Sequence, residues 1–145
     1  MAGEPSLGVL LFIAYRAMEN RAFDAVVAAG RDDITMAQAK LLQRVNEEGS
    51  RLGELAESAQ VTKQTAGYLV DQLEAAGYVE RRPDPNDARA RLVCLTDHAC
   101  SIRPVADAAV AEVEAEWAAH LGGRRMAQLR EALARLREIA DPSAK

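Results

Sequence analysis

The stretch TKQTAGYLVDQLEAAGYVERRPDPNDARARLVCL, from Thr62 to Leu95, changes its apolar period part-way along and so decides the fold. Up to Gly77 it reads as a helix. Ala66, Leu69, Leu73 and Ala76 recur at helical spacing on one face, while Gln64, Gly67, Tyr68 and Asp71 lie opposite. Thr62 is a good N-cap, because its hydroxyl can accept from a backbone amide of the first turn, and Gly77 suits the left-handed conformation that stops a helix. Beyond Gly77 the period shortens. Tyr78 to Arg82 reads as a strand, Pro83 to Ala88 as a turn rich in Pro, Asp and Asn, and Arg89 to Leu95 as the returning strand of a β-hairpin.

Upstream, a short helix spans Gly53 to Ala59 with Leu52, Leu55 and Ala56 facing inward, and three residues separate it from the helix after Thr62. Thr35 and Gln38 form a capping-box pattern ahead of Leu41, Leu42 and Val45, giving a helix that stops before Gly49. Ser6 caps a first helix running to about Ala29, with a stripe of Leu7, Leu11, Ala14, Met18, Ala22 and Ala25. Downstream, Thr96 with Ala99 behind it opens one long helix carrying Ile102, Val105, Ala109, Val113, Trp117 and Leu121. Gly122-Gly123 breaks it before a last helix striped by Met126, Leu129, Leu133, Leu136 and Ile139. The class is mainly α with a small β-hairpin wing.

The 145 residues are 49% apolar and 28% charged, the composition and size of one globular unit. The longest apolar run, Val9 to Tyr15, is far short of a membrane span, and Met1 to Leu7 lack the basic start of a secretory signal. The expectation is a cytoplasmic protein with no membrane partner. Cys94 and Cys100 lack the spacing of a metal or redox motif, and a reducing compartment disfavours a disulfide. His98 and His120 are isolated, so neither metal nor cofactor is expected. No catalytic Ser-His-Asp or Cys-His arrangement, Gly-rich phosphate loop or acidic metal cluster is suggested, which argues against an enzyme.

A net charge of −4 argues at first against a nucleic-acid partner, since affinity for DNA comes largely from Lys and Arg neutralising phosphates. Locally the balance differs. Residues 1–59 hold six basic and nine acidic side chains, 60–96 five and five, and 97–145 seven and eight. In the middle third Arg81, Arg82, Arg89 and Arg91 crowd together. The order of short helix, three-residue turn, capped helix and basic hairpin is that of a winged helix-turn-helix, whose second helix reads the DNA major groove with its N-terminal residues. Here those are Thr62, Lys63, Gln64 and Thr65, with Tyr68 one turn on: a cation for phosphate, an amide that suits adenine, and hydroxyls. Gly67 costs about 1 kcal/mol against alanine in a helix, tolerable where backbone must approach another molecule. Arg81 and Arg82 read as phosphate contacts or strand-edge charges.

Three segments, Ile34-Thr35-Met36-Ala37-Gln38-Ala39, Leu69 through Arg82, and Asp84-Pro85-Asn86-Asp87-Ala88-Arg89 followed by Leu95-Thr96, resemble the MarR family over roughly Leu7 to Ile139. The resemblance implies a single domain over 1–145, with a winged helix-turn-helix at about 35–96 and dimerisation helices at about 6–29 and 97–140. It also implies a homodimer on pseudo-palindromic double-stranded DNA, and a repressor released by a small aromatic acid-like effector. Arg89 then matches the wing-tip arginine that enters the minor groove, and Asp87 the acid that braces it. Phe12, Tyr15, Arg16 and Met36 are the candidates to line an effector cavity, although core packing explains Phe12 and Met36 equally well. Tyr68 stands where the family commonly has a basic residue, Ala99 where glycine is usual, and the first helix has no cysteine to sense peroxide.

Overall fold

The computed structural model describes residues 3–31 and 33–141. Helix α1 covers Leu7–Ala28, α2 Met36–Leu42, α3 Leu52–Ala59 and α4 Lys63–Ala75. Strands β1 (Val79–Asp84) and β2 (Asp87–Leu95) follow, then α5 (Asp97–Cys100), α6 (Arg103–Leu121) and α7 (Gly123–Ala140).

The caps form where the sequence places them. Ser6 Oγ accepts from the Val9 amide at 3.3 Å and Thr62 Oγ1 from the Thr65 amide at 3.0 Å. At α2 the Thr35–Gln38 box closes in both directions. Gly77 leaves α4 with φ +84°, which turns the chain directly into β1.

Three boundaries differ from expectation. The long C-terminal helix is divided, with α5 ending at Cys100 and α6 beginning at Arg103. Pro104 explains the break: it has no N–H to give the Cys100 carbonyl and its ring would crowd that carbonyl, so it is tolerated only in the first turn of a new helix. The hairpin turn is tighter than Pro83 to Ala88, since β1 runs on to Asp84, β2 starts at Asp87 and only Pro85-Asn86 lie between. A register irregularity between Pro83 and Asp84 lets a proline sit in the strand. Finally, Ser50 pairs with Val93 in an antiparallel bridge, its N–H and C=O each within 2.9 Å of their partners, and so lays a third short segment against β2. A single serine between Gly49 and Arg51 carries no strand periodicity to reveal it.

The core sits inside the lobe made by α2 to β2. Leu41, Leu55, Ala66, Val70, Leu73, Tyr78 and Val79 are at most 2% exposed, and Val26 of α1 and Ala99 and Ile102 below the wing join the same cluster. Each large aliphatic side chain there contributes about 1.5–3 kcal/mol by burial. Tyr78 keeps its polar end satisfied, donating from its hydroxyl to Asp33 Oδ1 at 2.6 Å while its ring lies against His98. Helices α1 and α6 pack through Ala22, Val26, Ala109 and Val113, with Arg21 forming two hydrogen bonds to the Glu116 carboxylate. The ends of the chain behave differently. On α1 the apolar residues Leu7, Val9, Leu10, Leu11, Phe12, Ile13 and Tyr15 are all exposed, and on α7 so are Leu133, Leu136 and Ile139.

Candidate nucleic-acid interface

Helix α4 is held by its apolar face against α2 and α3, which leaves its first turn open. Thr62 and Thr65 turn their hydroxyls on each other, at 2.9 Å, besides the cap, so Thr62 is committed to starting the helix. Lys63 and Gln64 are exposed, and Tyr68 projects one turn further along, 63% exposed. The unpaired amides of this turn carry the positive end of the helix dipole, so the surface attracts anions before Lys63 is counted. The α3–α4 turn passes through Gln60 in the left-handed region at φ +55°. Gly67 is not on the free face: a Cβ there would meet Leu52 of α3 at 3.7 Å, ordinary contact distance.

The wing is built by acids that serve backbone amides. Asp84 Oδ1 accepts from the Asn86 amide at 2.9 Å and Asp87 Oδ1 from the Arg89 amide at 3.0 Å, which fixes the tight turn. Asp87 therefore steadies Arg89 through its main chain. Its other oxygen lies 3.8 Å from the guanidinium of Arg51, a residue that sequence reasoning passed over. Arg51, at the start of α3, donates to Asp84 Oδ2 from Nε at 3.2 Å and from a terminal nitrogen at 2.9 Å. The Asn86 amide and the Arg51 guanidinium hold the buried Asp84 carboxyl below its ordinary range, and Asp84 in turn raises Arg51. The signal for Arg51 was an arginine where a helix-starting Ser or Thr would fit better, but nothing in the sequence says what it reaches.

The basic residues of the hairpin divide by their partners. Arg81 donates to Asp71 Oδ1 at 2.7 Å and to Glu74 Oε1 at 2.9 Å, tying β1 to the back of α4, and Arg82 pairs with Glu80. Lys63, Arg89 and Arg91 make no ion pair with any described residue. Between wing and helix-turn-helix runs an open groove of about 620 Å³ bounded by Arg51, Gly53, Lys63, Arg81 and Arg91.

The effector candidates are scattered. Phe12 and Tyr15 stand exposed on α1, the Arg16 guanidinium lies 5.5 Å from the centre of the Phe12 ring, and Met36 is half-buried on α2. Partial burial and the neighbouring Glu19 raise the Tyr15 phenol. None of the four lines the half-open cavity of about 300 Å³ between α1, α2 and α6, walled by Ala22, Val26, Leu42, Ala106 and Val110, with Gln43, Cys100, Arg103 and Asp107 as its polar groups. Small apolar residues at helical spacing read as core, which is why the sequence did not reveal it. Among the described residues no group of three or more His, Cys, Asp and Glu is placed to hold a metal ion, and no helix is long and apolar enough to cross a membrane.

A capped second helix presented by a three-helix lobe and followed by a two-stranded wing defines a winged helix-turn-helix protein. The sequence model of the MarR family matches residues 32–90. Apo MarR of E. coli is 26% identical, with a TM-score of 0.73 over 92% of this chain and 98% of that one. A Mycobacterium tuberculosis MarR family protein in complex with salicylic acid is 25% identical, with a TM-score of 0.68 over 94% and 99%. CouR of Rhodococcus jostii bound to p-coumaroyl-CoA, at 24% identity, shares the fold, with a TM-score of 0.70 over 94% and 93%. No curated protein matches. The chain is a winged-helix protein whose residues 32–90 match the MarR family and whose fold is that of MarR family transcription regulators.

Proposed function

We propose that this chain is a sequence-specific DNA-binding repressor, acting as a homodimer in the cytoplasm and released by a small aromatic acid. One observation carries the DNA-binding face: Lys63 on the first turn of α4 and Arg89 and Arg91 on the wing make no ion pair with any described residue, while Arg51, Arg81 and Arg82 are occupied by acids of the same lobe. Cations without internal partners are the ones available to phosphates and to the negative potential of a narrow minor groove. Gln64 and Tyr68, both exposed on α4, would meet base edges.

The dimer reading is supported by α1, which is apolar on all sides along its first half and left exposed by the other described residues. A helix of that kind is surrounded in its working state. The effector reading draws on the cavity of about 300 Å³, at the lower end of small-molecule sites. Arg103 on its wall, in a loose pair with Glu47 at 3.6 Å, would meet a carboxylate, as befits a relative crystallised with salicylic acid.

The test is binding of the chain to duplex from its own upstream region across a salt series, followed by titration with salicylate. Tight binding that weakens steeply with salt, and release by the acid, are expected. A chain that shows neither specificity nor salt dependence on duplex would be an adaptor for protein partners instead.

A further inference from the structure

We propose that Arg51 is a positioning residue for DNA binding: it fixes the wing to the start of the helix-turn-helix and so sets where Arg89 meets the DNA. The proposal rests on Arg89 being a wing-tip contact. A two-stranded hairpin is only marginally ordered alone, and a tip that wanders before binding must be ordered on binding, which subtracts from affinity. Residues 50 and 51 answer that need from one place. Ser50 holds β2 by backbone bonds to Val93 at 2.8 and 2.9 Å, and Arg51 holds the turn by its side chain.

The brace is continuous. Both donors from Arg51 fall on Asp84 Oδ2, the Asn86 amide takes Oδ1, and Asp84 is 7% exposed, so its carboxylate has a single arrangement. Asp87 extends the chain by one step, one oxygen near Arg51 and the other on the Arg89 amide. Arg51 is also a poor choice for the helix it begins. Its side chain has no acceptor for the free amides of α3, and only the reverse half of the capping box is made, from the Arg51 amide to Glu54 at 3.3 Å. An arginine at a helix start that cannot cap the helix, yet grips the wing with two hydrogen bonds, is suited to the wing.

The experiment is a double-mutant cycle on the full chain, with duplex affinity measured for Arg51→Thr, Arg89→Ala and the two together. Threonine gives α3 a good cap while removing the brace. Arg51→Thr is expected to weaken specific binding about three- to thirtyfold, and the double variant to bind no more weakly than Arg89→Ala alone, because the effect of Arg51 passes through Arg89. Base preferences should flatten at the same positions that Arg89→Ala flattens. Losses that multiply would make Arg51 an independent phosphate contact, and unchanged affinity in Arg51→Thr would remove it from binding; either result overturns the brace. If instead Arg89→Ala binds like the wild type, the wing-tip reading fails first. Should Arg51→Thr not fold, Asp84→Asn serves in the same cycle, since it removes the charge while its amide oxygen still accepts from Asn86.

Discussion

Replacing Phe12 by glutamate tests the dimer on the open apolar surface of α1. Phe12 is 58% exposed on α1. Burying a whole side chain of this size contributes about 1.5–3 kcal/mol, so covering the open fraction is worth about 1–1.7 kcal/mol, twice over in a symmetric pair. A carboxylate in the same place adds a desolvation penalty of several kcal/mol per ion. The sum exceeds about 5 kcal/mol, more than a thousandfold in dissociation constant. Helix formation itself should survive, because glutamate is a strong helix former and Arg16 stands one turn on to pair with it. Light scattering at micromolar concentration should give the wild type about twice 15.7 kDa and Phe12→Glu a single 15.7 kDa chain. A wild type that is a stable folded monomer, or a variant that dimerises as tightly as the parent, refutes the reasoning.

Gln64→Ala should relax preference at one position of each half-site, a bidentate pair being worth about 1–3 kcal/mol of discrimination, whereas Lys63→Ala should weaken all sequences alike. A uniform loss in Gln64→Ala would pass base reading to Tyr68 or Thr65. Gly49→Ala should destabilise the fold by about 2–5 kcal/mol in urea unfolding, combining left-handed backbone strain with overpacking. The residue has φ +97°, and an added Cβ would lie 2.8 Å from Cys94 Sγ, so an unchanged midpoint would contradict this geometry. In acid, the folded state holds Asp84 and Glu116 below their ordinary values of 3.8 and 4.5. The stability they contribute is present above those values and lost as pH falls through the lowered ones. The gap in thermal midpoint between wild type and Asp84→Asn should therefore close below about pH 4, and a gap independent of pH would exclude the ion pair as its cause.

The elements were legible wherever a local signal was enough. Thr35, Thr62 and Gly77 punctuate helices by chemistry confined to one turn, and Ala66, Leu69 and Leu73 name the buried face of α4 by period alone. What escaped were contacts between segments distant in sequence. Asp84 shows its acid in the sequence but not that Arg51, 33 residues earlier, holds it. Arg81 and Arg89 look alike in a basic run, and only the register of the hairpin turns one back onto Asp71 and Glu74 and leaves the other open. The stripes at both ends of the chain were legible too, as more apolar surface than a lone winged helix could bury, and Leu7, Leu11, Leu133, Leu136 and Ile139 are indeed exposed.

The segment 60–96 is neutral by count, and its pairing converts that neutrality into a directed field. Its acids are all engaged on the lobe: Asp71 and Glu74 by Arg81, Glu80 by Arg82, and Asp84 and Asp87 by Arg51 and by backbone amides. Lys63, Arg89 and Arg91 are what remains, all on the wing and the first turn of α4. An acidic chain can therefore present three uncompensated cations of this segment per protomer to DNA, since local pairing and not net charge decides which cations are available. If each of those cations in a dimer neutralises one phosphate, log affinity should fall against log salt with a slope of about −5. A slope near zero would mean that the unpaired cations face away from the DNA, and one near −10 that Arg51, Arg81 and Arg82 abandon their acids on binding.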